Sequence, residues 1–180
     1  ENKRLCQPLL LDGAYIIARN CKCLETKKQK VEPFYTEQDV YRMLNRTETY
    51  AKNEMYKLNE YVSFRFLPNG HIPASTSIEL FFKTPSGNIK KVYYTGDISN
   101  PNMKQPFRDN TMVPSNANVV ITEATYSDLT RCMSLKEIKR EREQMVKDIK
   151  EELKQGKSIL IPCFAQSRTQ DILHFLYENF

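Results

Sequence analysis

The chain has 180 residues, of which 40% are hydrophobic and 11% aromatic, as expected for one folded domain or parts of two. No apolar run approaches the roughly 20 residues that a membrane-spanning helix needs, and no apolar segment of a secretory signal follows the first residues. The net charge of +5 permits a polyanionic partner without requiring one, because a solvated surface can have the same excess.

The five cysteines are odd in number and scattered, which argues against a disulfide framework and favours reduced thiols in the cytoplasm. Cys21 and Cys23 have the spacing of half a metal site. No second Cys or His pair follows them at the spacing of a zinc finger, so a metal site there is disfavoured. We therefore expect a cytoplasmic protein without a membrane segment.

The first third of the chain predicts mixed elements. The apolar segment 9–18 is interpreted as a buried strand, and the polar, Lys-rich segment 20–33 as an exposed connection. Thr36 then marks the start of a helix, with Val40, Met43 and Leu44 on its apolar face.

The middle of the chain changes to the two-residue period of strands. Apolar and polar side chains alternate over 62–66 and again over 78–82, and a third strand is predicted over 89–94. The segment 85–88 is a turn of Pro, Ser, Gly and Asn. Because this turn is short, the two strands that it joins are predicted to be antiparallel neighbours.

The last third predicts an alternation of strands and helices. A short strand over 118–122 precedes a helix that begins with a capping box at Ser134 and ends at Gly156. Its apolar face is formed by Ile138, Met145, Ile149 and Leu153. A second strand over 158–161 and a second helix from 167–170 onward complete the series, which predicts a parallel sheet and the α/β class.

Three polar side chains stand where predicted strands end. They are His71, Asp97 and Glu123, and a glycine precedes the first two. One imidazole and two carboxylates at a sheet edge suit a metal site or an acid–base site. The alternative for each of them is an ordinary position in a turn or at a water-facing rim, without a functional role. His174, among the apolar residues of the last helix, is interpreted as structural.

Four segments, in this order, form a recognisable series. They are 70–75 (GHIPAS), 94–97 (YTGD), 121–128 (ITEATYSD) and 159–170 (ILIPCFAQSRTQ). The series resembles the β-CASP branch of the metallo-β-lactamase superfamily, which includes the ribonuclease J enzymes, the endonuclease of pre-mRNA 3′-end cleavage and DNA-repair nucleases. The segments 10–14 and 33–40 look like the stretches that precede the family's histidine motif, so the resemblance covers nearly the whole chain.

The resemblance implies an α/β fold in two parts. Residues 1–126 would be the C-proximal part of a metallo-β-lactamase αββα sandwich, and residues 127–180 the start of a Rossmann-like β-CASP insertion, with the boundary near Tyr126. The implied activity is zinc-dependent hydrolysis of phosphodiester bonds in single-stranded nucleic acid, with RNA favoured, in RNA processing or decay. An inactive scaffold or partner subunit of the same fold remains an alternative, as does a small-molecule metallohydrolase. A homo-oligomer is also left open.

The resemblance also implies residue roles. His71 matches a zinc ligand, and Asp97 matches the carboxylate that bridges two zinc ions. Glu123 matches the acidic residue at the start of the insertion, so that Asp97 and Glu123 are the expected catalytic residues. Ser167 and Arg168 are the expected substrate contacts.

The chain departs from the family pattern in two ways. The His-x-His-x-Asp-His motif and the later β-CASP histidines are absent from these 180 residues, so we expect an internal fragment that is inactive alone. Zinc needs about four ligands and this chain provides only two, so we expect it to bind zinc weakly or not at all. The family also usually has glycine where Ala74 and Ser167 stand.

We further expect His71 and Asp97 to approach each other at one edge of the sheet.

Overall fold

The computed structural model describes residues 2–25, 31–100, 106–127 and 134–180. Within them the elements, in chain order, are α1 (Asn2–Glu25), α2 (Glu37–Arg46), β1 (Met55–Lys57), β2 (Val62–Pro68), β3 (Thr76–Lys83), β4 (Ile89–Tyr94), β5 (Val119–Ile121), α3 (Leu135–Lys154) and α4 (Arg168–Asn179). The strands form one sheet in the order β1-β2-β3-β4-β5, antiparallel except for the parallel pair β4 and β5. The mixed α/β class is therefore confirmed.

The prediction of a strand over 9–18 is wrong, because this segment lies within α1. A short apolar run cannot by itself distinguish a strand from a buried stretch of helix. Ala14 and Cys21 are both buried and lie seven residues apart, which is two helical turns and places them on one face. The helix also includes residues 20–25 of the predicted connection, and residues 26–30 lie outside the described residues.

Helix α2 begins where the sequence predicts. The hydroxyl of Thr36 accepts a hydrogen bond from the Asp39 N–H at 3.4 Å, and the Asp39 carboxylate accepts one from the Thr36 N–H at 2.8 Å. This capping box satisfies two amides that have no partner within the helix. Val40 and Leu44 are buried against Ala14, so the two helices enclose a small apolar core of their own. The prediction that Met43 shares this apolar face is wrong, because Met43 is exposed.

The central strands lie where the alternating pattern predicts them. Phe64 on β2 stands opposite Leu80 on β3, and Phe66 stands opposite Ile78, so the apolar side chains share one face of the sheet. The ring of Tyr50 packs on this face, with its centroid 5.2 Å from that of Phe64 and 6.5 Å from that of Phe66. The predicted antiparallel pairing of β3 with β4 is confirmed.

The opposite face of the sheet buries a charged cluster. Glu79 on β3 is fully buried, and its Oε2 accepts hydrogen bonds from Nε of Arg65 at 2.8 Å and from Nη2 of the same side chain. Nζ of Lys91 lies 3.3 Å from Glu79 Oε1. Because Arg65 is on β2 and Lys91 on β4, one carboxylate links three adjacent strands. Two cations offset the cost of taking its charge out of water.

The predicted strand over 158–161 is wrong. The segment pairs with no strand among the described residues, and Leu160 is 92% exposed. A strand is defined by its hydrogen-bonded neighbour, which a local apolar pattern cannot supply. The parallel sheet inferred from the strand–helix alternation is therefore limited to the pair β4 and β5.

The two C-terminal helices lie where they are predicted. The hydroxyl of Ser134 accepts a hydrogen bond from the Glu137 N–H at 3.3 Å, and the Glu137 carboxylate accepts one from the Ser134 N–H at 2.7 Å. Gly156 follows the end of α3 with a φ of +73°, which glycine adopts at little cost. The predicted apolar face of α3 is only partly covered, because Ile138 and Ile149 are half-buried while Met145 and Leu153 are exposed.

None of the helices in the described residues combines the length and the apolar character that a membrane span requires.

The boundary near Tyr126, with domains at 1–126 and 127–180, stays a prediction.

Substituting Glu79→Ala should lower the free energy of unfolding by roughly 3 kcal/mol, because Arg65 and Lys91 would remain partly buried without a counter-charge. Urea denaturation followed by circular dichroism measures the change. Glu60→Ala removes the same group from an exposed loop and is the control. Equal midpoints for the two variants would contradict the structural importance of the cluster.

Candidate functional site

The loop after β2 is organised around the buried side chain of Asn69. Its Nδ2 donates a hydrogen bond to the carbonyl of Thr95, after β4, at 3.0 Å. Its Oδ1 accepts hydrogen bonds from the His71 N–H at 3.3 Å and from the Ser75 hydroxyl at 2.5 Å. One side-chain amide thus joins the segment after β4 to the loop that holds His71.

Gly70 allows this loop to pass close to a neighbouring segment. Its φ is +70°, and a Cβ built there would lie 2.6 Å from Thr111 Oγ1 and 3.2 Å from the carbonyl oxygen of Asp109. A Cβ there would require the Thr111 side chain to shift and the Asp109 backbone to give by a few tenths of an ångström. The glycine that precedes His71 is therefore required both by its backbone conformation and by the space around it.

His71 and Asp97 lie at the same edge of the sheet. Nε2 of His71 is 3.6 Å from Oδ2 of Asp97, and the Asp97 side chain is 73% exposed. The expectation that these two side chains approach each other is confirmed. Gly96, directly before Asp97, has a φ of +57°, so glycine again precedes the polar residue at a turn of the backbone.

Glu123 belongs to the same edge. Its Oε1 accepts a hydrogen bond at 2.7 Å from the N–H of Ile98, the residue after Asp97. The pKa of Glu123 is lowered, first by the hydrogen bond from the Thr125 hydroxyl and then by that from Ile98, and nearby His71 acts in the same direction. The structure therefore brings together all three strand-end residues that the sequence singles out.

Ser167 and Arg168 lie on a different element, at the start of α4. Ser167 is 3% exposed, and its Oγ has no hydrogen-bond partner among the described residues. Nη1 of Arg168 lies 3.6 Å from Oδ2 of Asp171. Within the described parts of the chain, no hydrogen bond or ion pair joins Ser167 or Arg168 to the three strand-end residues.

Both positions where the family pattern has glycine adopt a positive φ. Ala74 has a φ of +65° and Ser167 a φ of +70°. An L-amino acid in a left-handed conformation costs roughly 1–2 kcal/mol relative to the ordinary regions, a cost that glycine avoids. Ala74 and Ser167 therefore adopt a backbone conformation that favours glycine, although each of them has a side chain.

The donor set for a metal is small. Over residues 2–25, 31–100, 106–127 and 134–180, no group of three or more His, Cys, Asp or Glu side chains is arranged to hold a metal ion. Cys21 and Cys23 belong to no such group among the described residues. Cys132 and Asp128, the last residue of the third motif, lie outside the described residues.

Sequence reasoning missed Asn69, Thr125 and Arg108. An Asn before a Gly usually indicates a turn, so nothing in the neighbouring sequence predicted that Asn69 is buried. Thr125 stands two residues after Glu123, and its hydroxyl donates a hydrogen bond to the Glu123 carboxylate. Arg108 contacts Asp171, 63 residues later, and no spacing rule predicts such a partner.

Known proteins similar to this chain have ribonuclease names. The chain is 30% identical over 172 residues to "Ribonuclease TTHA0252" of Thermus thermophilus, covering 96% of this chain and 37% of that protein. It is 31% identical over 145 residues to "RNase J-like protein" of Methanocaldococcus jannaschii, covering 77% and 31%. "Probable RNase MJ4" of the same archaeon is 28% identical over 178 residues, covering 98% and 37%.

These similarities support the resemblance to ribonuclease J-like proteins that the motifs indicate. The chain spans about a third of the length of the curated relatives that it matches. No family model matches it.

Substituting Asn69→Ala should lower the free energy of unfolding by roughly 1–3 kcal/mol, because it leaves the Thr95 carbonyl and the His71 N–H without their partner in the protein interior. Urea denaturation measures the loss, and NMR of the His71 ring reports its environment. Asn88→Ala, in an exposed turn, is the control. An unchanged His71 signal in the Asn69 variant would show that Asn69 does not position the loop.

Substituting Thr125→Ala should raise the pKa of Glu123 toward its ordinary value of 4.5, because the hydrogen bond with the largest lowering effect is removed. A carboxyl pKa that is lower in the folded state adds stability above the unfolded pKa. That stability is lost as the pH falls below about 4.5 and through the folded pKa. The stability of the variant should therefore depend less on pH in this acidic range.

Carbon-13 NMR titration of the Glu123 carboxyl measures the pKa directly. Thr122→Ala is the matched control, because the Thr122 hydroxyl bonds the backbone carbonyl of Glu123 rather than its carboxylate. A Glu123 titration that is the same in both variants would exclude Thr125 as the main cause.

Proposed function

We propose that this chain is part of a zinc-dependent nuclease of the metallo-β-lactamase fold that hydrolyses phosphodiester bonds in single-stranded RNA, in RNA processing or decay. The observation that carries the proposal is the His71–Asp97 pair, 3.6 Å apart, with Glu123 at the same sheet edge. It stands in a chain similar over 96% of its length to a protein named a ribonuclease.

The spacing of His71 and Asp97 fits two ligands of one zinc ion. Imidazole nitrogen and carboxylate oxygen are both zinc donors, and at bonds of about 2.0–2.2 Å two donors of a tetrahedral ion lie roughly 3.3–3.6 Å apart. The observed distance of 3.6 Å agrees with that geometry. A two-zinc site needs further donors, which we assign to parts of the whole protein other than this chain. Weak zinc binding by the chain alone stays a prediction.

In this proposal zinc, when bound, acts as a Lewis acid that activates water and offsets charge on the scissile phosphate. Asp97, largely exposed, would present its carboxylate to the metals. Glu123, with its lowered pKa, is ionised at neutral pH, so its catalytic role is that of an anionic hydrogen-bond acceptor rather than a proton donor. The hydrogen bond from Ile98 to Glu123 fixes its position beside Asp97.

Ser167 and Arg168 are the proposed substrate contacts. A guanidinium can bind a phosphate through two hydrogen bonds and so can position a nucleic-acid backbone. The buried hydroxyl of Ser167 and its positive φ place a strained polar residue directly before α4, and such strain is often found at functional sites. The net charge of +5 permits binding to a polyanion.

An inactive scaffold or partner subunit of the same fold is the second candidate. It is favoured by the small donor set, because the described residues provide no group of three metal ligands. A small-molecule metallohydrolase, a cytoplasmic location and a homo-oligomer stay predictions from the sequence.

In the full-length protein that contains this chain, Asp97→Ala should lower the rate of single-stranded RNA cleavage by at least about 100-fold, because Asp97 would contact the metals in the transition state. Affinity for the same RNA at fixed salt should change less than about twofold, since Lys and Arg contacts to phosphate remain. Single-turnover cleavage and filter binding measure the two quantities.

Asp12→Ala, on the exposed face of α1, is the matched control and should cleave normally. Full activity of Asp97→Ala would defeat the site assignment. If the unsubstituted protein cleaves no RNA or DNA with any added metal, the inactive-scaffold alternative is correct.

A further inference from the structure

The segment 106–112 packs against the loop that follows β2. The Thr111 hydroxyl donates a hydrogen bond to the Asn69 carbonyl at 3.0 Å, and the Met112 N–H donates one to the Pro68 carbonyl at 2.8 Å. Asn69 is the residue around which that loop is organised. The segment is therefore attached to the edge of the sheet where the proposed metal ligands lie.

The same segment also contacts helix α4. Nη2 of Arg108 donates a hydrogen bond to Oδ2 of Asp171, and the Arg108 side chain is 1% exposed. Asp171 is in the first turn of α4, which begins at Arg168. Because Arg108 and Thr111 are three residues apart, a short stretch of backbone connects the strand-end loop to the helix that holds the proposed substrate contact.

The Asp171 carboxylate is shared by two guanidinium groups. Nη1 of Arg168 lies 3.6 Å from the same Oδ2 that Arg108 contacts, and the Arg168 side chain is 51% exposed. The pKa of Arg108 is lowered chiefly by burial and further by the charge of Arg168, whereas Asp171 raises it. A buried cation depends on a counter-charge more than an exposed one, because water does not solvate it. Asp171 therefore serves mainly Arg108.

Arg168 is held less closely as a result. A separation of 3.6 Å between nitrogen and oxygen is longer than a hydrogen bond, and half of this side chain faces solvent. Two cations share one anion, so the group keeps a net positive charge, and Arg168 is its exposed member. Without Arg108, the Asp171 carboxylate would be left to Arg168, and a close pair between them would neutralise that charge.

We propose that Arg108 is a positioning residue for substrate binding. It occupies the Asp171 carboxylate, so that the guanidinium of Arg168 stays available to a phosphate, and it attaches the start of α4 to the loop that holds His71. The proposal rests on the proposed function, in which Arg168 contacts the RNA. Arg108 is itself buried and acts only through its neighbours.

The full-length protein that contains this chain is titrated into a fluorescein-labelled oligouridylate, and fluorescence anisotropy gives the Kd at several salt concentrations. A denaturing gel verifies that the strand stays intact. Arg108→Gln should raise the Kd about fivefold, because Asp171 then pairs with Arg168 and one contact to phosphate is lost. The slope of log Kd against log salt should fall by about 0.7, the value for one phosphate contact of a single strand.

A second substitution separates this role from a merely structural one. Arg108→Gln/Asp171→Asn should bind the RNA within about twofold of the unsubstituted protein, because the competing carboxylate is gone. The matched control is Arg108→Gln/Glu60→Gln, which restores the same net charge in an exposed loop but retains Asp171. This control should bind as weakly as Arg108→Gln. Equal affinities of the two double variants would overturn the inference.

Arg108→Lys is the conservative variant. It keeps a cation beside Asp171, so RNA affinity should stay within about twofold of the unsubstituted protein. Circular dichroism reports whether each variant is folded, and Arg108→Lys together with Arg108→Gln/Asp171→Asn provides the test if Arg108→Gln alone does not fold. Fivefold weaker binding by both of these variants in the folded state would contradict the inference.

Arg168→Gln distinguishes the inference from the proposed function. It should weaken RNA binding about as much as Arg108→Gln does, and combining the two substitutions should add little, because both remove the same contact. Normal RNA binding by Arg168→Gln would defeat the assigned substrate contact and the inference with it. Weak binding by Arg168→Gln beside normal binding by Arg108→Gln would defeat the inference alone.

Discussion

The side-chain amide of Asn69 is the constraint on which the arrangement at the sheet edge depends. Buried polar groups must be paired, and this amide binds the Thr95 carbonyl, the His71 N–H and the Ser75 hydroxyl at once. If the loop shifted relative to β4, several of these groups would lose their partners in the interior. The separation of His71 from Asp97 is therefore fixed by residues that would themselves contact neither substrate nor metal.

The sheet provides the frame for this edge. Glu79 links β2, β3 and β4 through Arg65 and Lys91, so the register of the three central strands is tied by charge as well as by backbone hydrogen bonds. By contrast, α3 buries none of its residues, and α4 is linked to the loop after residue 105 through Arg108 and Asp171. The proposed catalytic edge is thus held by strands, whereas the contact of α4 through Asp171 joins side chains distant in sequence.

Backbone conformation bears on two differences between this chain and the motifs that it resembles. Ala74 and Ser167 stand where those motifs usually have glycine, yet each has a positive φ. The surrounding contacts, such as the hydrogen bond from the Ser75 N–H to the Ile72 carbonyl, hold the turn in spite of the added Cβ. A substitution that appears to break a motif can therefore leave its geometry in place, at a cost of roughly 1–2 kcal/mol.

The sequence alone determined the features that depend on neighbouring residues. The capping boxes at Thr36 and Ser134 and the alternating strands follow from local hydrogen bonding and side-chain period, and so does the placing of His71 at a strand end. Only the tertiary structure decided that 9–18 is helical and that 158–161 lacks a strand partner. These outcomes, like the burial of Asn69 and the pairing of Arg108 with Asp171, depend on groups distant in sequence, which no local pattern encodes.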